Sequence, residues 1–208
     1  MHIVDGALSN EVVIAGTVLA VGGVALGLRK LPMEKIPAAG VLSATFFVAS
    51  LIHVPIGPSS VHLILNGLAG LVLGWAAFPA LLVGLLLQAV FFGFGGVTVL
   101  GVNTLNIALP AVAVYYICRQ GVASGSAVVA AIWGGIGGAL SIVLTTAMVG
   151  ISLALSGEEF VPAAKLVLVT HIPVMAIEGL LTGFAVYLAR MVKPDLFAGL
   201  EAPAGGYR

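Results

Sequence analysis

Charge is scarce in this chain: of 208 residues only eight are Asp or Glu and eight are Lys or Arg. That is 8% charged, against about 25% in a typical soluble domain. So few ionised groups cannot solvate the surface of a water-soluble fold of this length, so its surroundings must be mostly lipid. The two signs cancel, which argues against nucleic acid or another polyanion as the partner. Cysteine is nearly missing as well, and the lone Cys118 excludes a disulfide framework or a thiolate-rich metal site. No Lys or Arg lies between Met1 and Glu11, so the basic start of a secretory signal is lacking. The N-terminus is therefore expected to survive into the mature protein, with Met1 retained because His2 is bulky. There is no G-x-x-x-x-G-K-[ST] motif, so this chain is not expected to be an enzyme that hydrolyses ATP through a P-loop. What is present is apolar: 61% of the residues are hydrophobic, the mean hydropathy is +1.21, and 28 glycines suit helices that approach closely in a bilayer.

No Asp, Glu, Lys or Arg occurs from Ile36 to Cys118, nor from Gln120 to Gly157. Each run exceeds the ~20 residues of one crossing, so Gly, Pro and polar punctuation must divide it. The division predicts an all-α polytopic membrane protein, one transmembrane domain over 1–208, with seven segments at about 10–28, 36–52, 59–76, 78–94, 100–118, 126–156 and 161–189. The sixth has a glycine-rich centre, Trp133 to Gly138, that could bend it, leaving six or eight crossings open. Asn10 is the expected N-cap of the first helix. Ser59 and Ser60 are expected to cap the third, which places Asn66 on the same helical face as His62. With the N-terminus outside, Arg29, Lys30, Lys35, Arg119, Arg190, Lys193 and Arg208 all fall inside and only Lys165 outside, satisfying the positive-inside rule. The expected orientation thus has residues 190–208 as a cytoplasmic tail, with Met1, His2 and the 53–62 loop sharing the outer face.

A chain beginning Met1-His2 offers a chelate. The Met1 amine, the deprotonated His2 amide and the His2 imidazole can bind one cation through fused five- and six-membered rings that force the three nitrogens nearly into a plane. A fourth nitrogen would complete a square-planar site suited to Ni(II) or Cu(II) rather than tetrahedral Zn(II). Binding should weaken in acid, because the amine and amide must both lose protons. The candidates for the fourth nitrogen are His62, His53 and His171. His53 reads as a solvated interfacial imidazole, and His171 as one partner of a buried pair with Glu178 seven residues on.

The start Met1-His2-Ile3-Val4-Asp5-Gly6, together with Val54-Pro55-Ile56, Ser60-Val61-His62-Leu63 and Asn66-Gly67-Leu68-Ala69-Gly70, resembles the substrate-binding membrane component of nickel/cobalt energy-coupling factor transporters, the CbiM/NikM family. The resemblance implies a bundle like that of other such components with an extra N-terminal helix. It implies that residues 1–9 fold inward and that metal is held by the Met1 amine, the His2 amide and imidazole, and an imidazole matching His62. The Val-His-Leu-x-x-Asn-Gly-Leu form resembles the nickel branch, so nickel(II) is favoured as transported substrate over cobalt(II) feeding cobalamin synthesis. Implied partners are cytoplasmic ABC-type ATPases, a transmembrane coupling component and, as an open question, a small accessory membrane subunit. Asp5, Ser60 and Asn66 are candidates to support the ligands, although Asp5-Gly6 reads more simply as a turn. Gly40 and Ala44, spaced small-xxx-small, are a candidate docking face for a partner. Gly134 and Gly138 share that spacing and read as internal packing.

Two other classes compete. A stand-alone secondary permease or channel for a divalent cation would use the polar residues of the spans, among them Gln88, Asn103, Asn106 and Glu178. One mid-membrane carboxylate is a thin inventory for ion coupling. An intramembrane serine hydrolase fits poorly, because Ser124 falls at an inner loop and its surroundings, Gly121 to Gly125, miss the G-x-S spacing.

Overall fold

The computed structural model describes residues 2–51, 53–56 and 59–197, with the side chains of residues 53–61 outside that description. Eight α-helices and one hairpin follow in order: α1 (Asn10–Arg29), α2 (Ile36–Ala49), β1 (His53–Ile56), β2 (Ser59–His62), α3 (Asn66–Leu73), α4 (Ala77–Phe92), α5 (Leu100–Val122), α6 (Ala127–Ala154), α7 (Val161–Thr170) and α8 (Ile172–Val192). Among the described residues α1, α5, α6 and α8 are each long and apolar enough to cross a bilayer, and α3 with α4 forms a further apolar stretch (Asn66–Phe92) that doubles back at Gly74, since His62 before it and Phe94 after it both stack on His2. The fold is an all-α polytopic membrane bundle.

Several expected boundaries shift. The third segment is not a helix from 59. Residues 59–62 pair with β1, and α3 begins only at Asn66, preceded by Leu65 in the left-handed region (φ 55). Ser59 and Ser60 therefore cannot cap it, and His62 and Asn66 do not share a helical face. The seventh segment is broken at His171 into α7 and α8, where Pro173 enters the first turn of the second helix. The sixth is one unbroken 28-residue helix despite its glycines. Ser9 rather than Asn10 precedes α1 as its cap, its hydroxyl accepting from Val12 N at 3.5 Å, a long contact.

α5 is the central element, packed by α1, α3, α4 and α6. α1 faces outward with Val18, Leu19 and Val21 exposed, and it buries a seam of Gly16, Ala20, Gly23 and Gly27. Small residues serve here because lipid supplies no hydrophobic drive between helices, and close van der Waals contact must hold them. On the other side of the bundle α6 meets α8 through Gly134 against Val186 and Gly138 against the Glu178 carbonyl, so this spacing is internal packing. Gly40 and Ala44 differ: both are exposed on α2, and nothing lies within 4 Å of a Cβ built at Gly40.

Buried polar residues of the spans join helices to one another. Asn66 Nδ2 donates to the Ile107 carbonyl at 2.8 Å and to Thr145 Oγ1 at 2.9 Å, tying α3 to α5 and α6. Asn106 bonds Ser152 on α6, and Gln88 bonds Ser50 at the end of α2. Lys35 donates from Nζ to the Val72 carbonyl at 2.9 Å, placing a cation at the C-terminal end of α3. Burial pulls the Lys35 ammonium below its ordinary pKa.

The closest helix approach sets a test. A Cβ at Gly70 of α3 would fall 2.1 Å from the Ala111 carbonyl oxygen of α5, a backbone atom that cannot turn aside. Gly70→Ala is expected to destabilise the fold by about 1–3 kcal/mol, the usual cost of overpacking. Thermal unfolding in detergent should show this loss, while Gly40→Ala, with open space around it, unfolds at the wild-type temperature.

Candidate metal centre

The chain before α1 turns into the bundle, and its course is fixed by hydrogen bonds to α5 and the loop preceding it. Ile3 is fully buried, and its backbone is held by one side-chain amide: Ile3 N donates to Asn103 Oδ1 at 2.9 Å, and Asn103 Nδ2 donates to the Ile3 carbonyl at 3.0 Å. Two residues on, Asp5 N donates to the Gly95 carbonyl at 2.8 Å. The Asp5 carboxylate accepts from Thr98 Oγ1 and, at 3.3 Å, from Val99 N. Gly6 adopts φ 82, so the expected turn exists and the carboxylate anchors the segment as well.

This path depends on Gly95 and Gly96, at φ 78 and 118. A Cβ at Gly95 would lie 2.9 Å from Asn103 Nδ2 and 3.3 Å from His2 Cβ, and one at Gly96 would overlap the Asp5 carboxylate. Both the left-handed backbone and the close approach require glycine. The Phe94 ring, immediately before them, stacks on His2 with centroids 6.4 Å apart.

The hairpin delivers the second histidine. β1 and β2 are antiparallel, with His53 opposite His62 and Pro55 opposite Ser60. His62 ends β2, and its ring stacks on that of His2 with centroids 4.6 Å apart and planes inclined by 26°. Each residue is only 3% exposed. His62 Nδ1 lies 2.7 Å from the Leu63 carbonyl oxygen, which can only accept, so Nδ1 carries the proton and Nε2 the lone pair of the neutral ring. Burial holds the His62 imidazole well below its ordinary pKa, keeping it in the neutral form that a metal requires. The backbone after it is held from α8: Glu178 accepts from Ile64 N through Oε1, and from Leu65 N at 2.9 Å through Oε1 and 3.0 Å through Oε2.

Of the residues singled out by sequence, the structure brings His2 and His62 together, with Asp5 anchoring the segment that carries His2. Asn66 serves the helix junction described above. Met1 lies outside the described residues, as do the side chains of Ser60 and His53. The expected pair of His171 and Glu178 is not formed. His171 is buried and bonds the Val167 carbonyl one turn back at 2.6 Å, whereas Glu178 is used by the hairpin exit. Sequence reasoning missed Phe94, Gly95, Gly96 and Thr98 as shapers of this region; the signal was the Gly-x-Gly-Gly cluster at 93–96, a turn signature lying just before a span. Among the described residues no three His, Cys, Asp or Glu side chains cluster as a metal site.

Comparison with known proteins defines the class. Residues 2–196 match the family model described as the cobalt uptake substrate-specific transmembrane region, CbiM. A Haemophilus influenzae protein provisionally named a metal transport protein is 43% identical over 203 residues, covering 97% of this chain and 98% of that one. The fused nickel transport protein NikMN of Rhodobacter capsulatus is 38% identical over 136 residues, 61% of this chain and 39% of its own length. The cobalt transport protein CbiM of Sorangium cellulosum is 28% identical over 97% of this chain and 96% of its own. A crystal structure of a transition metal transporter superposes with a TM-score of 0.75 at 27% identity, over 92% of this chain and 93% of that one. The molecule is thus a membrane-embedded component of a nickel- or cobalt-type metal uptake transporter. It belongs to the CbiM family.

The Asn103 clamp is open to measurement. Asn103→Ala removes two buried hydrogen bonds to Ile3, about 1 kcal/mol each. Amide protection over residues 3–7 is expected to fall by about 30-fold in hydrogen exchange, while protection in α6 stays unchanged. Equal protection in the variant would show that the segment is held elsewhere.

Proposed function

We propose that the chain captures Ni(II) at the outer face of a prokaryotic inner membrane, in a square-planar site of four nitrogens. The donors are the Met1 amine, the His2 amide and imidazole Nδ1, and His62 Nε2. The observation that carries this reading is the buried stacking of His2 on His62 at 4.6 Å, with Ile3 clamped directly behind the chelating residue. His62 Nδ1 is committed to a carbonyl, which directs Nε2 toward ligation, the arrangement typical of metal-binding histidines. Nickel is favoured over cobalt by the Val61-His62-Leu63 to Asn66-Gly67-Leu68 pattern; the relatives include both nickel and cobalt transport proteins.

Import against a gradient is driven by partners: cytoplasmic ABC-type ATPases and a membrane coupling component, together making an energy-coupling factor transporter. The exposed Gly40 and Ala44 on α2 offer the coupling component a smooth helix face that internal packing leaves uncovered. Orientation follows the basic residues, which put the N-terminus and hairpin outside and the C-terminus in the cytoplasm.

The test is nickel retained by the purified full chain. His2→Ala, His62→Ala and a variant carrying one extra residue before Met1 are each expected to lose stoichiometric nickel and the absorption band of planar Ni(II). Wild-type binding should decline as pH falls below the amine pKa of about 8, because protons then compete for the amine and the amide. Undiminished nickel in any one of the three variants would remove that ligand from the assignment.

A further inference from the structure

We propose that Glu178 is the positioning residue of the His62 half of the metal site, so that α8 sets how tightly the metal is held. This rests on the reading of His62 as a ligand. Its grounds are the hydrogen bonds of a single carboxyl group that spans 114 positions of sequence to reach Ile64 N and 113 to reach Leu65 N.

Between the hairpin and α3, residues 63–65 lie in neither strand nor helix. The chain leaves the hairpin at His62, passes Leu65 in the left-handed region, where a leucine is rarely found, and enters α3 with no side-chain cap of its own. Ile64 is fully buried, so its N–H and that of Leu65 would be stranded without a partner. Glu178, itself fully buried, supplies the acceptor to both. It therefore acts as the missing cap of α3, contributed in trans, and fixes the two residues that follow Leu63. Leu63 in turn supplies the carbonyl that fixes the His62 ring through Nδ1. The chain of contacts runs from α8 through Glu178 to the Ile64 and Leu65 amides, then to the Leu63 carbonyl and the His62 imidazole. At its other end α8 is tied to the loop between α5 and α6, Arg190 Nη2 donating to the Ser124 carbonyl at 2.7 Å. One helix thus connects the ligand loop with the opposite face of the bundle.

The position of the carboxyl oxygens, rather than the charge they carry, does the work in this arrangement. Two variants separate these roles. Glu178→Gln keeps an acceptor at the Oε1 position and loses the charge; Glu178→Asp keeps the charge and withdraws the oxygens by one methylene. Ni(II) titration of the full chain in detergent, followed by its absorption spectrum, should show affinity falling by about 10- to 100-fold in Glu178→Asp, as for other residues that orient metal ligands. Glu178→Gln is expected to fall less, and the planar band should shift or broaden in Glu178→Asp alone. Gly27→Ala, which sets a Cβ on α1 2.5 Å from the Trp75 carbonyl between α3 and α4, away from α8, is the stability control. It should lower the unfolding temperature and leave nickel affinity near wild type. An aspartate variant that binds as tightly as wild type, or more tightly than the glutamine variant, overturns the proposal. So does a Gly27→Ala variant that loses nickel equally at equal loss of stability. His62→Ala in the same titration keeps the two readings apart. If it binds as wild type, the ligand assignment fails; if it loses nickel while both Glu178 variants keep it, only the positioning role fails.

Discussion

Inside a membrane bundle no water is available to a backbone amide, so every non-helical stretch must find its partners within the protein. The region around His2 and His62 contains three such stretches: residues 2–9, the exit of the hairpin, and the 93–99 loop. Their amides are met by a few long-range side chains. Asn103 holds both backbone groups of Ile3, Asp5 accepts from Val99, and Glu178 accepts from Ile64 and Leu65. The bonds of buried Asn103 and Glu178 are strong in a low-dielectric setting because the alternative is an unpaired group rather than a hydrated one, whereas Asp5 is exposed and its carboxylate also meets solvent. The scarcity of charge in the sequence follows from the same constraint: a buried ionisable or amide side chain survives only where the backbone gives it something to bind.

Asp5 shows how local structure and the site support each other. α5 begins after Val99 with no side-chain cap from its own sequence. The carboxylate of Asp5 occupies that place, accepting from Thr98 and Val99, and an acidic group at a helix N-terminus is favoured by the helix dipole. The N-terminal segment therefore completes α5, and α5 through Asn103 fixes the N-terminal segment. Neither is finished without the other, which is why the glycines at 95 and 96 leave space for it.

The sequence made much of this molecule legible and hid a definite part. The apolar runs with their glycine and proline breaks gave the order and approximate extent of the helices, because span length is dictated by bilayer thickness. The hairpin escaped notice because 59–65, Ser-Ser-Val-His-Leu-Ile-Leu, is a short mixed run, and periodicity does not separate a short strand from the first turns of a helix. Pro55 and Pro58 were the available hints of a strand edge and a turn. Asn103 and Glu178 were visible as polar residues in apolar spans, but their partners lie 100 and 113–114 positions away, and nothing local encodes such pairings. His171 was placed with Glu178 on spacing alone, yet a nearer acceptor, the Val167 carbonyl, satisfies it within its own turn. Chemistry made His2 a candidate chelate and left His62, His53 and His171 as candidates for a fourth nitrogen; the family resemblance singled out His62. The structure adds that His2 and His62 meet.

The two histidines are carried by different supports. His2 belongs to a segment fixed on α5, and His62 to a hairpin exit fixed on α8. α6 packs against both helices and stands between these supports. If the two rings share the cation as proposed, each half of the site is rigid on its own, and the distance between the halves is set by how α5 and α8 sit on α6. A chelate that uses an amide nitrogen is too tight to release its metal by spontaneous dissociation at a useful rate, and transport requires that tight entry be followed by weak exit. Deforming either half would break buried hydrogen bonds. Separating the halves would keep the bonds of Asn103 and Glu178, give up the Asn66 bond from α3 to the Ile107 carbonyl of α5, and remove one of the four nitrogens, leaving a three-nitrogen fragment of lower affinity. Under the proposed ligand set, division of the ligands between supports on two helices would reconcile firm capture with release, and one of those helices, α8, reaches the opposite face of the bundle through Arg190.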